Sequence, residues 1–184
     1  MSVSAIIDAY LETTFTGTST AVQRDLSLNF KKIMEESPLE ETDRWMNLLA
    51  TGVALHNKAM MGLARTELQK MGLSEEHIQE AAESAGIMGM LNTYYKFKGF
   101  LSPEVAESYN RAGLRMNSLG KPVNGKEKFE MMAFTVSVVN GCPTCVSSHE
   151  KALKDLGLSA DKIHDLARLA AVCKGLDSLQ TARS

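Results

Sequence analysis

Two cysteines and one histidine in the last third of the chain have the spacing of a reactive site. Cys142 and Cys145 are three residues apart, and His149 follows Cys145 by four. On an α-helix this spacing places all three side chains on one face. An Asn-Gly pair precedes Cys142 and a proline follows it, which predicts that one helix ends there and that Cys142 begins the next.

These three side chains are suited to redox chemistry. Two thiols at this separation can close a disulfide. We expect the partial positive charge of the helix N-terminus and the nearby imidazole to lower the pKa of a thiol, which favours the reactive thiolate. The pair therefore predicts a redox dithiol. Two alternatives remain open: a zinc site, for which Cys142, Cys145 and His149 supply only three ligands, and two buried thiols beside a core histidine.

A single carboxylate precedes the dithiol at a distance that is useful for catalysis. Residues 126–140 have a helical pattern of apolar side chains, with Glu130 the one acid beyond the first turn. Because the chain reverses at residues 140–141, the two helices should pack antiparallel, and Glu130 could reach His149. Such a contact would hold the imidazole in one tautomer and complete a relay from Glu130 through His149 to Cys145. The alternative is a solvated helix carboxylate.

Helices are the elements that must position these groups. Apolar residues recur at three- and four-residue spacing through residues 21–98, and Met, Ala and Leu are frequent while aromatic residues are 6% of the chain. Residues 101–126, with two prolines and three glycines, are the least helical segment and resemble a connection between two halves. The predicted fold class is therefore all-α.

The two halves resemble each other at a shift of 85 residues. Met-Gly-Leu-Ser-Glu-Glu-His-Ile at 71–78 matches Leu-Gly-Leu-Ser-Ala-Asp-Lys-Ile at 156–163. The match continues without a gap and predicts one duplicated helical domain over residues 1–184, with halves at about 45–98 and 127–180. A chance likeness between two amphipathic helices is the alternative.

The first half lacks the reactive side chains. It has Asn57, Met60 and Ala64 at the positions of the two cysteines and the histidine. The motif is therefore not needed to build the fold, which favours a functional role for it.

Composition and charge narrow the classes of function. The 184 residues carry 20 Lys and Arg against 22 Asp and Glu, so no basic surplus favours binding to nucleic acid or to an acidic membrane. No segment approaches about 18 consecutive uncharged apolar residues, and no secretory signal is visible at the N-terminus. Three cysteines, an odd and small number, are typical of a reducing compartment. We therefore expect a cytoplasmic protein.

The motif and its surroundings together resemble a known family. Glu130, eleven residues, Cys-x-x-Cys at 142–145, three residues and His149 resemble the AhpD-like alkylhydroperoxidase family, within the carboxymuconolactone decarboxylase superfamily. The likeness covers nearly the whole chain and includes further segments at 28–29, 45–50, 87–95, 99–101, 113–117 and 129–142.

The resemblance implies an all-helical, internally duplicated protein that forms a homo-oligomer, often a trimer, and reduces organic hydroperoxides with its dithiol. The resemblance also implies that no cofactor or metal is bound. A dihydrolipoyl group on a partner protein would re-reduce the cysteines, and the protein could in turn reduce the peroxiredoxin AhpC.

Roles for the site residues follow from the same resemblance. Cys145 would form the sulfenic acid, and Cys142 would supply a proton and then resolve the sulfenic acid to a disulfide. Glu130 and His149 would form the relay. The helix dipole alone instead favours Cys142 as the better thiolate.

One position departs from the family pattern. Thr144 lies between the cysteines, where the family has a histidine. A hydroxyl does not titrate near neutrality, so rate or substrate preference should differ, whereas sulfenic acid chemistry is retained. Two other functions stay open: a lactone decarboxylase-type lyase on the same fold, and a redox-responsive binding module without catalysis.

The remaining candidates have simpler interpretations. Cys173 stands in an apolar helix and corresponds to Met88 of the first half, which predicts a buried structural thiol. No chemistry is assigned to His56, His77 or His164. An aromatic cluster could line a substrate channel, form a subunit interface or pack in the core; it consists of Tyr94, Tyr95, Phe97 and Phe100.

Overall fold

Helices dominate the structure. A computed structural model describes residues 1–17 and 19–183, so Thr18 and Ser184 of the predicted domain lie outside the described residues. The described residues form α1 (Val3–Thr14), α2 (Ala21–Glu36), α3 (Glu41–Ala54), α4 (Lys58–Lys70), α5 (Glu75–Gly99), α6 (Pro103–Glu107), a 3-10 turn (Asn117–Gly120), α7 (Lys126–Asn140), α8 (Pro143–Asp155) and α9 (Ala160–Thr181). No strand occurs among them, and the predicted all-α class is confirmed.

Local sequence sets the ends of several helices. The side chain of Thr20 caps α2 by accepting a hydrogen bond from the backbone of Gln23, and Ser159 caps α9 in the same way. Helix α2 ends at Glu36 because the next residue precedes a proline, which disfavours helical backbone. The connection between α5 and α7 contains only α6 and the 3-10 turn, in keeping with its prolines and glycines.

The order of helices repeats along the chain. Helices α3, α4 and α5 begin at residues 41, 58 and 75, and α7, α8 and α9 begin at 126, 143 and 160, so each pair is 85 residues apart. The first and second helices of each half are joined through left-handed backbone, at His56 (φ 57°) and at Gly141 (φ 63°). We infer from this correspondence that the chain contains two copies of one three-helix unit.

An apolar core joins the two halves. Trp45, Leu48 and Leu49 of α3 pack in one cluster with Met132 and Val136 of α7. A smaller cluster supports α8 and α9 on the other side of α7; it consists of Leu39, Met131, Phe134, Leu153, Leu158, Ile163 and Leu166. Because α7 lies between both clusters, the end of α7 that leads into the dithiol is held from two sides.

An ion pair links the halves at equivalent positions. Asp43 of α3 and Lys128 of α7 are 85 residues apart, and the Lys128 ammonium contacts the Asp43 carboxylate. Nearby, the Thr135 hydroxyl donates a hydrogen bond to the side-chain oxygen of Asn47 at 2.8 Å. Asp43 is buried, so its carboxylate depends on this partner for its charge to be compensated.

Removal of the Lys128 ammonium group should destabilise the folded protein. We expect Lys128→Met to lower the free energy of unfolding by about 2 kcal/mol, because it leaves a buried carboxylate unpaired. Lys151→Met is the control, since its ion pair with Asp155 is exposed and should cost less than about 0.5 kcal/mol. Urea denaturation of both variants measures the difference, and equal stabilities would refute the role of the pair.

Candidate active site

The two cysteines lie at the start of α8. Gly141 ends α7 in left-handed backbone, and Cys142 is the N-cap residue of α8. The backbone N–H of Cys142 donates a hydrogen bond to the carbonyl of Ser137 at 3.1 Å. Cys142 and Cys145 are joined by a disulfide, with their Cα atoms 5.3 Å apart.

The sulfur of Cys142 takes the place of a capping oxygen. It accepts a hydrogen bond from the backbone N–H of Cys145, with 3.4 Å between nitrogen and sulfur. At the equivalent place in the first half, the side-chain oxygen of Asn57 accepts from the backbone N–H of Met60 at 3.0 Å. A thiolate of Cys142 would therefore meet a backbone donor and the positive end of a helix dipole, which both stabilise negative charge.

His149 and Glu130 contact each other across the α7–α8 hairpin. Nδ1 of His149 and Oε2 of Glu130 are 2.7 Å apart, and about a fifth of each side chain is exposed. Because an ionised carboxylate only accepts hydrogen bonds, Nδ1 would be the donor in this contact, which leaves Nε2 free to accept a proton. Trp45 and Ala64 occupy the equivalent positions in the first half, where both are buried apolar side chains.

A cavity opens beside Cys145. Its volume is about 320 Å³, and its walls come from α5, α8 and the connection before α7. The lining residues are Met88, Leu91, Asn92, Tyr95, Met116, Leu119, Thr144, Cys145, Ser148 and His149. Cys145 is 6% exposed, whereas Cys142 is 1% exposed and is not part of this wall. Of the two cysteines in the disulfide, Cys145 is therefore the one that a molecule bound in the cavity would contact.

The cavity is lined by both apolar and polar side chains. Met88, Leu91 and Leu119 contribute apolar surface, whereas Thr144, Ser148 and His149 contribute polar groups beside Cys145. Such an arrangement suits a molecule with a hydrocarbon part and one reactive polar end. The Cys-x-x-Cys motif does not predict this cavity, because most of the residues that line the cavity lie on elements distant in sequence from the motif.

Cys173 is separate from the dithiol. It is fully buried in α9, as predicted for a structural thiol, and burial raises the pKa of its thiol. Its protonated form is therefore favoured, and it is a poor nucleophile at neutral pH.

This separation predicts a simple thiol count. In the folded, reduced protein we expect a thiol reagent to modify Cys142 and Cys145 and to leave Cys173 unmodified until denaturant is added. Titration with a chromogenic disulfide, before and after unfolding, measures both numbers. Rapid modification of Cys173 in the folded protein would contradict its burial.

The aromatic residues divide into different environments. Tyr95 lines the cavity, and its ring lies 5.5 Å from that of Tyr94, which in turn lies 6.1 Å from that of Phe97. Phe97 in turn meets Tyr109 with ring centroids 5.3 Å apart. Phe100 is 83% exposed, so core packing is wrong for it. Three of the four residues, Tyr94, Tyr95 and Phe97, are therefore in ring contact as the predicted cluster requires, and of the four only Tyr95 lines the cavity.

The remaining histidines lie outside the cavity. His77 Nδ1 and the Ser74 hydroxyl are within 2.6 Å, and His164 is exposed on α9. His56 occupies the left-handed position between α3 and α4. Within residues 1–17 and 19–183, no group of three or more His, Cys, Asp and Glu side chains is arranged to hold a metal ion. No helix in the same residues is long and apolar enough to cross a membrane.

Fold and site together define an all-helical protein with a dithiol at a helix start. The sequence matches the Carboxymuconolactone decarboxylase family over residues 103–184. It is 38% identical over 153 residues to "Alkyl hydroperoxide reductase AhpD" of Anaeromyxobacter dehalogenans, covering 81% of this chain and 79% of that protein. It is 37% identical over 153 residues to the protein of the same name in Mycolicibacterium paratuberculosis, covering 83% of this chain and 84% of that one. The chain therefore belongs to the AhpD family.

Proposed function

We propose that this protein is a thiol peroxidase that reduces organic hydroperoxides with the Cys142–Cys145 dithiol. The observation that carries the proposal is the cavity. It brings Cys145 and His149 together with apolar side chains in one lining, while Glu130 contacts Nδ1 of the imidazole. The names of the related proteins support the same activity.

Oxidation of Cys145 is the first step. Nε2 of His149 takes the proton of the Cys145 thiol, and the thiolate attacks the terminal oxygen of the hydroperoxide. The O–O bond breaks, a sulfenic acid forms on Cys145, and the alkoxide takes a proton from the Cys142 thiol to leave as the alcohol. Glu130 stabilises the imidazolium that forms, because its carboxylate contacts Nδ1.

Closure of the disulfide is the second step. The Cys142 thiolate, stabilised by the Cys145 N–H and the helix N-terminus, attacks the sulfur of the Cys145 sulfenic acid. The S–S bond forms, the S–O bond breaks, and the departing hydroxide takes the proton held by His149. Together the two steps convert two thiols and one hydroperoxide into a disulfide, an alcohol and water.

A dithiol donor must reopen the disulfide for turnover. We propose the dihydrolipoyl group of a partner protein, which would give up two hydrogens and become the cyclic disulfide. The peroxiredoxin AhpC is a further redox partner under the same proposal. Such a cycle requires a reducing compartment, which favours the cytoplasm.

We also propose that the protein forms a homo-oligomer, with a trimer as the expected state. Several large apolar side chains on α5, α6 and the connection are exposed and would gain from burial between subunits: Met90, Phe97, Phe100, Val105, Tyr109 and Val123.

Steady-state turnover tests the proposed function. We expect cumene hydroperoxide to be consumed over many cycles in the presence of dihydrolipoamide, and the variant with both cysteines replaced by serine to be inactive. A binding module would instead oxidise once per molecule and stop. A lyase would keep its activity after both cysteines are replaced, and either outcome would refute the peroxidase.

A further inference from the structure

The cavity wall contains a buried amide that the proposed mechanism does not use. Asn92 of α5 is 1% exposed. Its Nδ2 donates a hydrogen bond to the Ser137 hydroxyl at 2.9 Å, and its Oδ1 accepts one from Nδ2 of Asn140 at 2.9 Å. One turn further along α5, the Lys96 ammonium donates to the carbonyl of Asn140 at 3.1 Å. Helix α5 of the first half thus holds the last turn of α7 with three hydrogen bonds.

That last turn of α7 determines where the dithiol lies. Ser137 and Asn140 are the first and last of the four residues before Gly141 and Cys142. The backbone N–H of Cys142 donates to the carbonyl of Ser137, so the backbone of Cys142 depends on the same residue that Asn92 contacts. A displacement of this turn would move the sulfur of Cys142 relative to Cys145.

The other half shows the equivalent contact in a different form. Asp177 and Gln180 of α9 are the residues 85 positions after Asn92 and Tyr95. Both accept hydrogen bonds from Nδ2 of Asn57, at 3.0 and 2.9 Å, and Asn57 is the N-cap residue that corresponds to Cys142. Thus α9 of the second half holds the start of α4, and α5 of the first half holds the turn that leads into α8.

The two contacts differ in one respect that suits redox chemistry. In the first half, α9 binds the side chain of the N-cap residue Asn57 itself. In the second half, Asn92 binds the turn before the N-cap residue, and the sulfur of Cys142 pairs with that of Cys145. The position of the turn is fixed while the sulfur keeps its capacity to react.

We propose that Asn92, assisted by Lys96, is a positioning residue for closure of the disulfide. It acts through Ser137 and Asn140, which keep Cys142 aligned for attack on the sulfur of Cys145. In the proposed function this is the step in which the S–S bond forms and hydroxide leaves. The inference rests on the proposed function only in taking a hydroperoxide as the oxidant. Closure of the disulfide itself can be measured with a different oxidant, from which a group other than hydroxide leaves.

Reaction of the reduced protein with 5,5′-dithiobis(2-nitrobenzoate) isolates this step. The thiolate of Cys145 displaces one thionitrobenzoate and becomes a mixed disulfide. The thiolate of Cys142 then attacks the sulfur of Cys145, forms the S–S bond and displaces the second thionitrobenzoate. The rate of the second release reports closure, and its limiting value at high pH reports alignment, since the attacking thiol is then fully ionised.

We expect Asn92→Ala to slow the limiting rate of the second release about tenfold and to change the first release by less than about twofold, because alignment matters only for closure. Asn47→Ala is the matched control. Asn47 is equally buried and is bonded to the Asp43 carbonyl and the Thr135 hydroxyl, in α3. Asn47→Ala should lower the free energy of unfolding by a comparable amount and leave the rate of disulfide closure unchanged.

A milder variant guards against loss of folding. Lys96 is only partly buried, and Lys96→Met should fold while slowing closure about threefold through loss of the bond to Asn140. Closure at the wild-type rate in folded Asn92→Ala overturns the inference, as does an equal slowing in Asn47→Ala. If Asn92→Ala does not fold, an unchanged rate in Lys96→Met overturns it. Failure of the wild-type protein to consume hydroperoxide would refute the proposed function without affecting this result.

Discussion

Replacement of Cys145 by serine is expected to reduce turnover of cumene hydroperoxide on the order of a thousandfold or more. A serine hydroxyl is not ionised near neutral pH and cannot form a sulfenic acid, so neither half of the cycle remains. The cavity should be retained, because the substitution changes one atom in a wall of ten residues. Consumption of hydroperoxide with dihydrolipoamide as reductant measures the loss.

Two further cysteine variants separate the roles within the dithiol. Cys142→Ser should react once with hydroperoxide and keep a sulfenic acid on Cys145, which dimedone traps and mass spectrometry locates. Cys173→Ser should turn over at close to the wild-type rate, because Cys173 lies outside the cavity. The assignment would be reversed if Cys145→Ser formed a trapped sulfenic acid on Cys142.

Replacement of His149 by alanine is expected to slow the first oxidation of the dithiol about a hundredfold, the usual range for loss of a general base. Glu130→Gln should slow it about tenfold, since a glutamine oxygen can still accept from Nδ1 but supplies no negative charge to stabilise the imidazolium. Stopped-flow measurement of a single turnover, without reductant, records this step directly.

His164→Ala is the control for loss of an imidazole. His164 is exposed on α9 and does not line the cavity, so the single-turnover rate of His164→Ala should match that of the wild type. A His149→Ala variant as fast as His164→Ala would remove the relay from the mechanism. Equal reductions of the single-turnover rate in Glu130→Gln and Glu130→Ala would show that Glu130 accelerates the oxidation through its charge rather than through its hydrogen bond to Nδ1.

The local features of the site followed from the sequence because they depend on helical periodicity and on neighbours in the chain. The spacing of Cys142, Cys145 and His149 predicts one helix face, and an Asn-Gly break followed by a proline predicts a helix start at Cys142. An antiparallel hairpin then allows Glu130 to reach His149, although the sequence leaves a solvated carboxylate as the alternative. The structure places Cys142 at the start of α8 and Nδ1 of His149 2.7 Å from Oε2 of Glu130. Cys145 and His149 line the same cavity, whereas Cys142, as the N-cap residue, does not line it.

The tertiary features could not be predicted in the same way. The cavity combines side chains from α5, α8 and the connection, and no periodicity states which face of one helix meets which face of another. The sequence therefore left open whether helix position or proximity to His149 decides the order of the cysteines. The structure adds that Cys145 lines the cavity whereas Cys142 does not.

Asn92 illustrates a signal that was present but easily missed. It is a polar residue within the apolar run Ile-Met-Gly-Met-Leu-Asn, at a position that corresponds to Asp177 in the other half. A buried amide in such a run needs partners, and its partners proved to be on α7. The pair of Asp43 and Lys128 is similar, since equivalent positions in a duplicated chain can meet each other.

The central claim is that hydroperoxide oxidises the Cys142–Cys145 dithiol. The most direct measurement adds one equivalent of cumene hydroperoxide to reduced protein without oxygen or reductant, followed by intact-mass analysis, peptide mapping and quantification of the alcohol. We predict the loss of two hydrogen atoms, a disulfide between Cys142 and Cys145, and one equivalent of 2-phenyl-2-propanol. Unreacted hydroperoxide with both thiols still free would contradict the claim.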